Sequence, residues 1–185
     1  MSSLRLHQAI TIVVIALGVH TAGCTRETEQ GREPRTSEVR PLLQQVLDRQ
    51  EIQDLLTEYM RRLEARDWVR YAELFAASGE LHFNENHFIG SQVIRDSMTK
   101  LAPSDPTRPA PSTADLLTNV SITVTGDTAT SMARWTGIQL GPENRPVVTR
   151  AGRYEDTLVR ENGRWRFQKR IVHVDVTPVV PAAAR

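Results

Sequence analysis

The chain has 185 residues, of which 39% are hydrophobic and 24% are charged, a composition typical of one soluble domain with additional segments. Its 23 basic and 22 acidic side chains nearly balance, which argues against nucleic acid as a partner. The single cysteine excludes an internal disulfide.

The first segment is an apolar run over residues 9–19, preceded by Arg5. It is too short to span a bilayer, which takes about 20 residues, but it suits the apolar region of a secretory signal. Small residues and then Cys24 follow, and this stretch resembles a bacterial lipoprotein signal, although Thr21 stands where that family usually has leucine. The resemblance implies a signal peptide over residues 1–23 and a lipid on Cys24. It also implies an exported protein anchored to the membrane, facing the periplasm or the exterior. An ordinary cleaved signal that leaves Cys24 as a free thiol is the alternative.

The next segment is charged and polar and has no apolar period, so residues 24–45 are predicted to be a flexible tether. The folded domain is predicted over residues 46–176, with a loose tail over 177–185.

The predicted domain begins with a segment whose apolar residues recur at helical spacing. The apolar positions that share one face of the first predicted helix are Ile52, Leu55, Leu56, Tyr59, Met60 and Leu63. Asp67 is predicted to cap a second helix that ends at Ser78–Gly79. A hairpin over residues 80–89 and a third helix capped by Ser91 follow.

Strand patterns fill the last third of the chain. Alternation at 120–124 and the segments 129–140, 147–160 and 165–176, each separated by turn residues, predict a meander. Helices followed by long strands predict an α+β fold with an antiparallel sheet curled over the helices.

Several short motifs occur in an order that resembles the SnoaL-like branch of the nuclear-transport-factor-2-like (NTF2-like) superfamily. The motifs are Tyr59-(x)4-Glu64-(x)2-Asp67, Leu74-Phe75-Ala76, Gly90 with Ile94, Leu117-Thr118-Asn119, Gly152-Arg153-Tyr154-Glu155-Asp156 and Gly163-Arg164-Trp165-Arg166-Phe167. The resemblance covers roughly residues 48–174. It implies a cone in which three N-terminal helices pack on a strongly curved antiparallel sheet and enclose a blind pocket.

The resemblance also implies candidate site residues. Tyr59 matches the helix tyrosine that donates a hydrogen bond in the steroid isomerases, whereas Phe83 stands at the position of their catalytic aspartate, with His82 beside it. Tyr59, Glu64 and Asp115 stand where the dehydratase-like members have Tyr, Asp and His. A carboxylate at Asp115 would need its pKa raised, by burial or by repulsion from Glu64, to act as a base near neutral pH.

Two histidines are further candidates for the base, His82 and His173, the second because a residue on a long strand could face the interior. Phe83 and Trp135 are expected to contact the ligand together with Tyr59. His82, Glu85 and His87 do not supply a metal-ligand set, so neither a metal nor another cofactor is predicted.

Two hypotheses about function follow. The first is a cofactor-free dehydratase, cyclase or isomerase that acts by acid–base chemistry on a small hydrophobic molecule. The alternative is a non-catalytic module of the same fold that binds a small ligand or another protein. The membrane, through lipid on Cys24, and a second copy in a homodimer are the other expected partners.

Overall fold

The computed structural model describes residues 36–103 and 113–177. Their helices are α1 (Thr36–Ala65), α2 (Trp68–Ala72) and α3 (Ser91–Leu101). Their strands are β1 (Phe75–Phe83), β2 (Asn86–Ile89), β3 (Thr113–Thr125), β4 (Thr128–Leu140), β5 (Pro146–Glu161) and β6 (Arg164–Val176). The predicted signal peptide, Cys24 and all of the predicted tail except Thr177 lie outside the described residues. No helix within the described ranges is long and apolar enough to cross a membrane.

The strands form one six-stranded sheet in the order β2-β1-β6-β5-β4-β3. The predicted α+β class is confirmed, as are the predicted hairpin and the meander from β3 to β6. The sheet is not wholly antiparallel, because β1 pairs with β6 in parallel. Most of the domain lies between these two strands in sequence, so no tight turn forces them to run in opposite directions.

Helix α1 covers the concave face of the sheet with the stripe predicted from periodicity. Ile52, Leu56 and Tyr59 are buried there and belong to the hydrophobic core. Burial of a stripe of this kind, rather than helix propensity alone, stabilises most helices in proteins.

The helix begins at Thr36, so residues 36–45, predicted to be tether, are helical instead. Asp48 supplies a physical reason, because it is buried and accepts hydrogen bonds from Gln44 and Arg160. These bonds fix one turn of α1 against β5, and extending a helix from a fixed turn costs little. The apolar side chains of the extension are exposed; they are Val39, Leu42, Leu43, Val46 and Leu47.

The second predicted helix is too long, since α2 ends at Ala72 and β1 begins at Phe75. Phe75 is paired with Phe167 of β6, and a Cβ at Gly79 would lie 2.7 Å from the Phe167 carbonyl oxygen. This close backbone approach makes the segment a strand, although its apolar spacing also fits a helix. The third helix is confirmed, but its N-cap is Gly90, with φ of 92°, and not Ser91.

Candidate functional site

The concave face of the sheet is arranged in cross-strand rows, because neighbouring strands place alternate side chains next to one another. Next to the apolar row of Ala129, Leu158, Phe167 and Phe75 lies the row of Ser131, Asp156, Arg170 and Leu81. The next two rows are Ala133, Tyr154, Val172 and Phe83, and then Leu117, Trp135, Gly152 and Val174. The row after these is Asp115, Gly137 and Arg150.

Two adjoining cavities lie between these rows and the helices. The inner cavity, of about 100 Å³, is mainly apolar and is lined by Tyr59, Leu63, Tyr71, Leu81, Phe83, Met98, Asp115, Trp135, Arg150, Tyr154 and Val172. The outer cavity, of about 430 Å³, shares Leu63, Phe83, Met98, Asp115 and Arg150 with the inner one and adds Glu64. A small ligand could therefore pass from a polar mouth to an apolar interior, as in many ligand pockets.

Tyr59 reaches the inner cavity from α1. The Tyr71 hydroxyl donates a hydrogen bond to the Tyr59 hydroxyl at 2.9 Å, which leaves the Tyr59 proton free for another acceptor. Burial raises the pKa of Tyr59, although the Arg170 cation and the bond from Tyr71 act in the opposite direction. Tyr59 is therefore a neutral phenol at physiological pH and can donate to a ligand oxygen.

A buried ion pair lies behind Tyr59. The Arg170 Nε and Nη2 atoms donate to the Asp156 carboxylate at 2.7 and 2.8 Å, and the Ser131 hydroxyl donates to the same carboxylate at 2.6 Å. The guanidinium carbon also lies 3.9 Å from the centre of the Tyr59 ring and 4.3 Å from that of Tyr154. Burial opposes the charge on Arg170, but Asp156 raises the pKa of Arg170 above its ordinary value, and the stacked cation fixes both phenol rings.

This ion pair was not among the predicted site residues. Alternation in β5 places Gly152, Tyr154, Asp156 and Leu158 on one buried face, so an inward-facing acid could have been read from the pattern. Arg170 could not have been recognised as the partner of this acid, because it lies on another strand, β6.

Asp115 and Glu64 meet at the mouth. The backbone N–H of Asp115 donates to Glu64 Oε1 at 2.9 Å, which ties the end of α1 to β3. Burial raises the pKa of the Asp115 carboxyl, repulsion from Glu64 raises it further, and Arg150 partly opposes both effects. This is the direction that the sequence analysis required of a base at this position. Glu64 itself lines the outer cavity only.

Phe83 and Trp135 both line the inner cavity, where the sequence analysis expected ligand contacts. Trp135 is stacked on Tyr154 with ring centres 5.9 Å apart. Gly152 is required beside them, since a Cβ there would collide with the His173 carbonyl oxygen and would lie 3.0 Å from Trp135 Cε2.

The two histidines do not face the cavity, so the expectation that either could serve as its base is wrong. Val172 lines the cavity, and alternation along β6 sends the next side chain, His173, to the opposite face, where Nε2 lies 3.3 Å from Glu155. His82 follows the same rule between Leu81 and Phe83; it bonds to Glu80 at 2.8 Å. Residues 36–103 and 113–177 contain no group of three or more His, Cys, Asp or Glu side chains that could hold a metal ion.

Comparison with known structures gives the same fold. An NTF2-like protein with a cystatin-like fold from Novosphingobium aromaticivorans superposes with a TM-score of 0.66 at 20% identity, covering 78% of this chain and 92% of that one. A protein from the same organism assigned as a scytalone dehydratase has a TM-score of 0.60 at 18% identity, covering 76% and 92%. The β subunit of an assigned aromatic-ring-hydroxylating dioxygenase, also from that organism, has a TM-score of 0.59 at 18% identity, covering 75% and 95%. Likeness at this identity establishes the fold and does not establish an activity.

No curated protein shows significant similarity to the sequence. The sequence model of the SnoaL-like domain, however, matches residues 44–171, which is most of the described chain. The order of elements, the cavity under the curved sheet and this match together place the chain in the SnoaL-like domain family, with the NTF2-like fold.

Proposed function

We propose that the domain is a cofactor-free acid–base enzyme that acts on a small hydrophobic molecule held in the inner cavity. The observation that carries the proposal is the Asp115 carboxyl, which lines both cavities and has a raised pKa. A carboxylate with a raised pKa is a stronger base than an ordinary one, so it is better able to take a proton from carbon, and its acid form can return a proton to a leaving hydroxyl.

Each polar group of the cavity has a role in this proposal. Asp115 is the proton acceptor and donor. Tyr59 donates a hydrogen bond to an oxygen of the bound molecule, because its own acceptor capacity is used by Tyr71. Glu64 is a positioning residue, since it holds the Asp115 backbone and raises the pKa of the carboxyl. The apolar lining excludes water, which strengthens these electrostatic effects.

The test uses a panel of small ring compounds, half of them with a hydroxyl or carbonyl group, incubated with the purified protein in D₂O. Proton NMR reports both hydrogen exchange at carbon and loss of water. We expect turnover of some oxygenated compounds by the unsubstituted protein and a loss of about 10²-fold or more in Asp115→Asn. Full activity in Asp115→Asn would refute the assignment of the base.

A non-catalytic ligand-binding module is the second candidate. It is favoured by the pairing of Tyr59 with Tyr71, which satisfies part of the hydrogen-bonding capacity of the cavity without a ligand. In that case ring compounds would bind with equal affinity to the unsubstituted protein and to Asp115→Asn, and no compound would turn over.

Export and lipid anchoring are also part of the proposal. They rest on the signal-like residues 1–23 and on Cys24. The enzyme would then act at the membrane surface on the side facing the periplasm or the exterior, where small hydrophobic molecules partition.

A further inference from the structure

The first turns of α1 expose their apolar side and direct their polar side toward the domain. The apolar side chains recur three and four residues apart, so they form one stripe, and 40–63% of each is exposed; they are Val39, Leu42, Leu43, Val46 and Leu47. The opposite side of these turns lines a cleft with residues around the turn between β3 and β4; it consists of Pro41, Gln44, Gln45 and Asp48. A helix on the surface of a domain normally buries its apolar side. The reversed arrangement therefore marks the stripe from Val39 to Leu47, called the exposed stripe below, as an interaction surface.

The length of the exposed stripe favours a lipid bilayer over a second copy of the chain. The stripe covers little more than one heptad, and beyond it the same side of α1 carries the exposed polar residues Gln50, Asp54 and Thr57. Helices that pair through apolar stripes sustain them over about three or more heptads, so a second α1 would gain little contact here. A bilayer needs no complementary surface, and an amphipathic helix lies in its interface with the apolar side about 5 to 10 Å deep.

The exposed stripe also follows the proposed lipid site closely in sequence. Residues 25–35 separate Cys24 from Thr36, the first residue of α1, and a chain of that length extends at most about 40 Å. A lipid on Cys24 would therefore hold the stripe near the membrane and raise the effective concentration of lipid around it. Arg40 is exposed beside Leu43 and Leu47, where its guanidinium can reach lipid phosphates while its stem covers apolar surface.

We propose that the exposed stripe of α1 inserts into the interface of a lipid bilayer and holds the domain in one orientation on the membrane. This inference goes beyond the proposed catalysis, and only the role of the tether rests on the proposed lipid at Cys24. The polar residues that follow the stripe limit insertion to the first turns of α1. Glu64, at the mouth of the cavities, comes roughly 25 Å after Leu47 along the helix axis, so the mouth lies outside the inserted segment.

The first experiment measures co-sedimentation with sucrose-loaded vesicles of phosphatidylethanolamine and phosphatidylglycerol. It uses the chain without the predicted signal peptide, which keeps every described residue, and Cys24→Ser is present throughout so that no lipid contributes. We expect this protein to bind, and Leu42→Gln with Leu43→Gln to lower the partition coefficient by about tenfold or more, since two apolar side chains no longer leave water. The matched control is Val69→Gln with Met132→Gln, which changes two comparably exposed apolar residues on α2 and on the outer face of the sheet. It should bind like the parent protein. Failure of the parent to bind, or equal binding of all three proteins, would overturn the proposal.

The second experiment locates the contact on the helix. Because Cys24 is the only cysteine, Val46→Cys or Gln45→Cys in the Cys24→Ser chain provides a single site for a nitroxide spin label. We expect vesicles to shield the label at residue 46 from a water-soluble nickel complex and to leave the label at residue 45, on the side facing the domain, unchanged. Equal shielding at the two positions would refute the proposed orientation. Shielding at residue 46 without vesicles, increasing with protein concentration, would show that a second copy covers the stripe instead.

The result is distinguishable from a failure of the proposed anchor. If the Cys24→Ser chain binds vesicles through the stripe while Cys24 of the exported protein proves unmodified, the anchor fails and the membrane contact of α1 stands. If Cys24 carries lipid but Leu42→Gln with Leu43→Gln binds vesicles like the control, the anchor stands and the proposed contact is wrong.

Discussion

At the scale of single residues, the site depends on charges that the fold places in unfavourable surroundings. Asp115 is half-buried and lies near Glu64, so its ionised form is disfavoured in the folded protein. The surroundings that the proposed base requires therefore also reduce stability, a common relation between activity and stability.

Asp115→Asn should stabilise the protein at neutral pH by about 0.5 to 1 kcal/mol, within the range seen when an unfavourable charge is removed. Because the pKa of Asp115 is raised in the folded state, its proton stabilises the fold at low pH, and that stability is lost as pH rises through the folded pKa. Urea unfolding should show the gain at neutral pH and its disappearance in acid. Asp96→Asn on exposed α3 serves as the control, and a gain independent of pH would contradict the explanation.

For the buried pair of Arg170 and Asp156 we expect the opposite effect, namely that removing the negative charge lowers stability. Asp156→Asn leaves an uncompensated cation in the core and should destabilise the protein by about 3 to 5 kcal/mol, measured by urea unfolding. Glu143→Gln breaks an exposed pair with Arg145 and should change stability by less than about 1 kcal/mol. Equal effects of the two substitutions would show that Arg170 is neutralised in some other way.

At the scale of elements, helix α1 has two apolar stripes on different faces. The stripe from Ile52 to Met60 packs on the sheet, whereas the stripe from Val39 to Leu47 is exposed. At the end of the exposed stripe, the side of the helix that faces β5 carries Asp48, which pairs with Arg160. Periodicity predicts the first stripe and its burial, whereas residues 36–45, which contain most of the second stripe, are predicted to be tether. The second stripe is exposed because the sheet does not extend under that part of the helix.

Leu56→Ala and Leu42→Ala test this difference. Leu56 is 0% exposed and its truncation should cost about 2 to 5 kcal/mol, since it leaves a cavity in the core. Leu42 is 62% exposed, and the same substitution should change stability by less than about 0.5 kcal/mol. Chemical unfolding of the two variants side by side is the measurement, and a large loss in Leu42→Ala would show that its face is covered in solution.

At the scale of the whole molecule, a curved sheet and three helices enclose a space. The phenols of Tyr59 and Tyr154 and the ion pair of Arg170 and Asp156 lie at its inner end. The Asp115 carboxyl and the Arg150 guanidinium lie at its mouth. The side chains of the proposed site therefore lie around one opening. The proposed attachment through Cys24 would place the domain at a membrane.

Intact-mass measurement of protein from the membrane fraction tests the proposed anchor. We expect a chain that begins at Cys24 and carries the additional mass of acyl chains, while Cys24→Ser should move the protein to the soluble exported fraction. An unmodified Cys24 in mature protein would end the lipid proposal. Light scattering of the soluble domain would show whether the expected homodimer forms.

The sequence by itself determined the class of fold, the meander and the buried stripe of α1, because apolar periodicity and turn residues act over a few positions and survive in almost any tertiary setting. The family resemblance named Tyr59, Asp115 and Phe83 as candidates, and these three line the inner cavity together with Trp135, which was predicted to contact the ligand. Tertiary structure alone decided the parallel pairing of β1 with β6, the end of α2, the outward direction of His82 and His173, and the row that brings Arg150 to Asp115 across Gly137. These features depend on the register between strands far apart in the chain, and a shift of one residue would send every side chain of a strand to the other face.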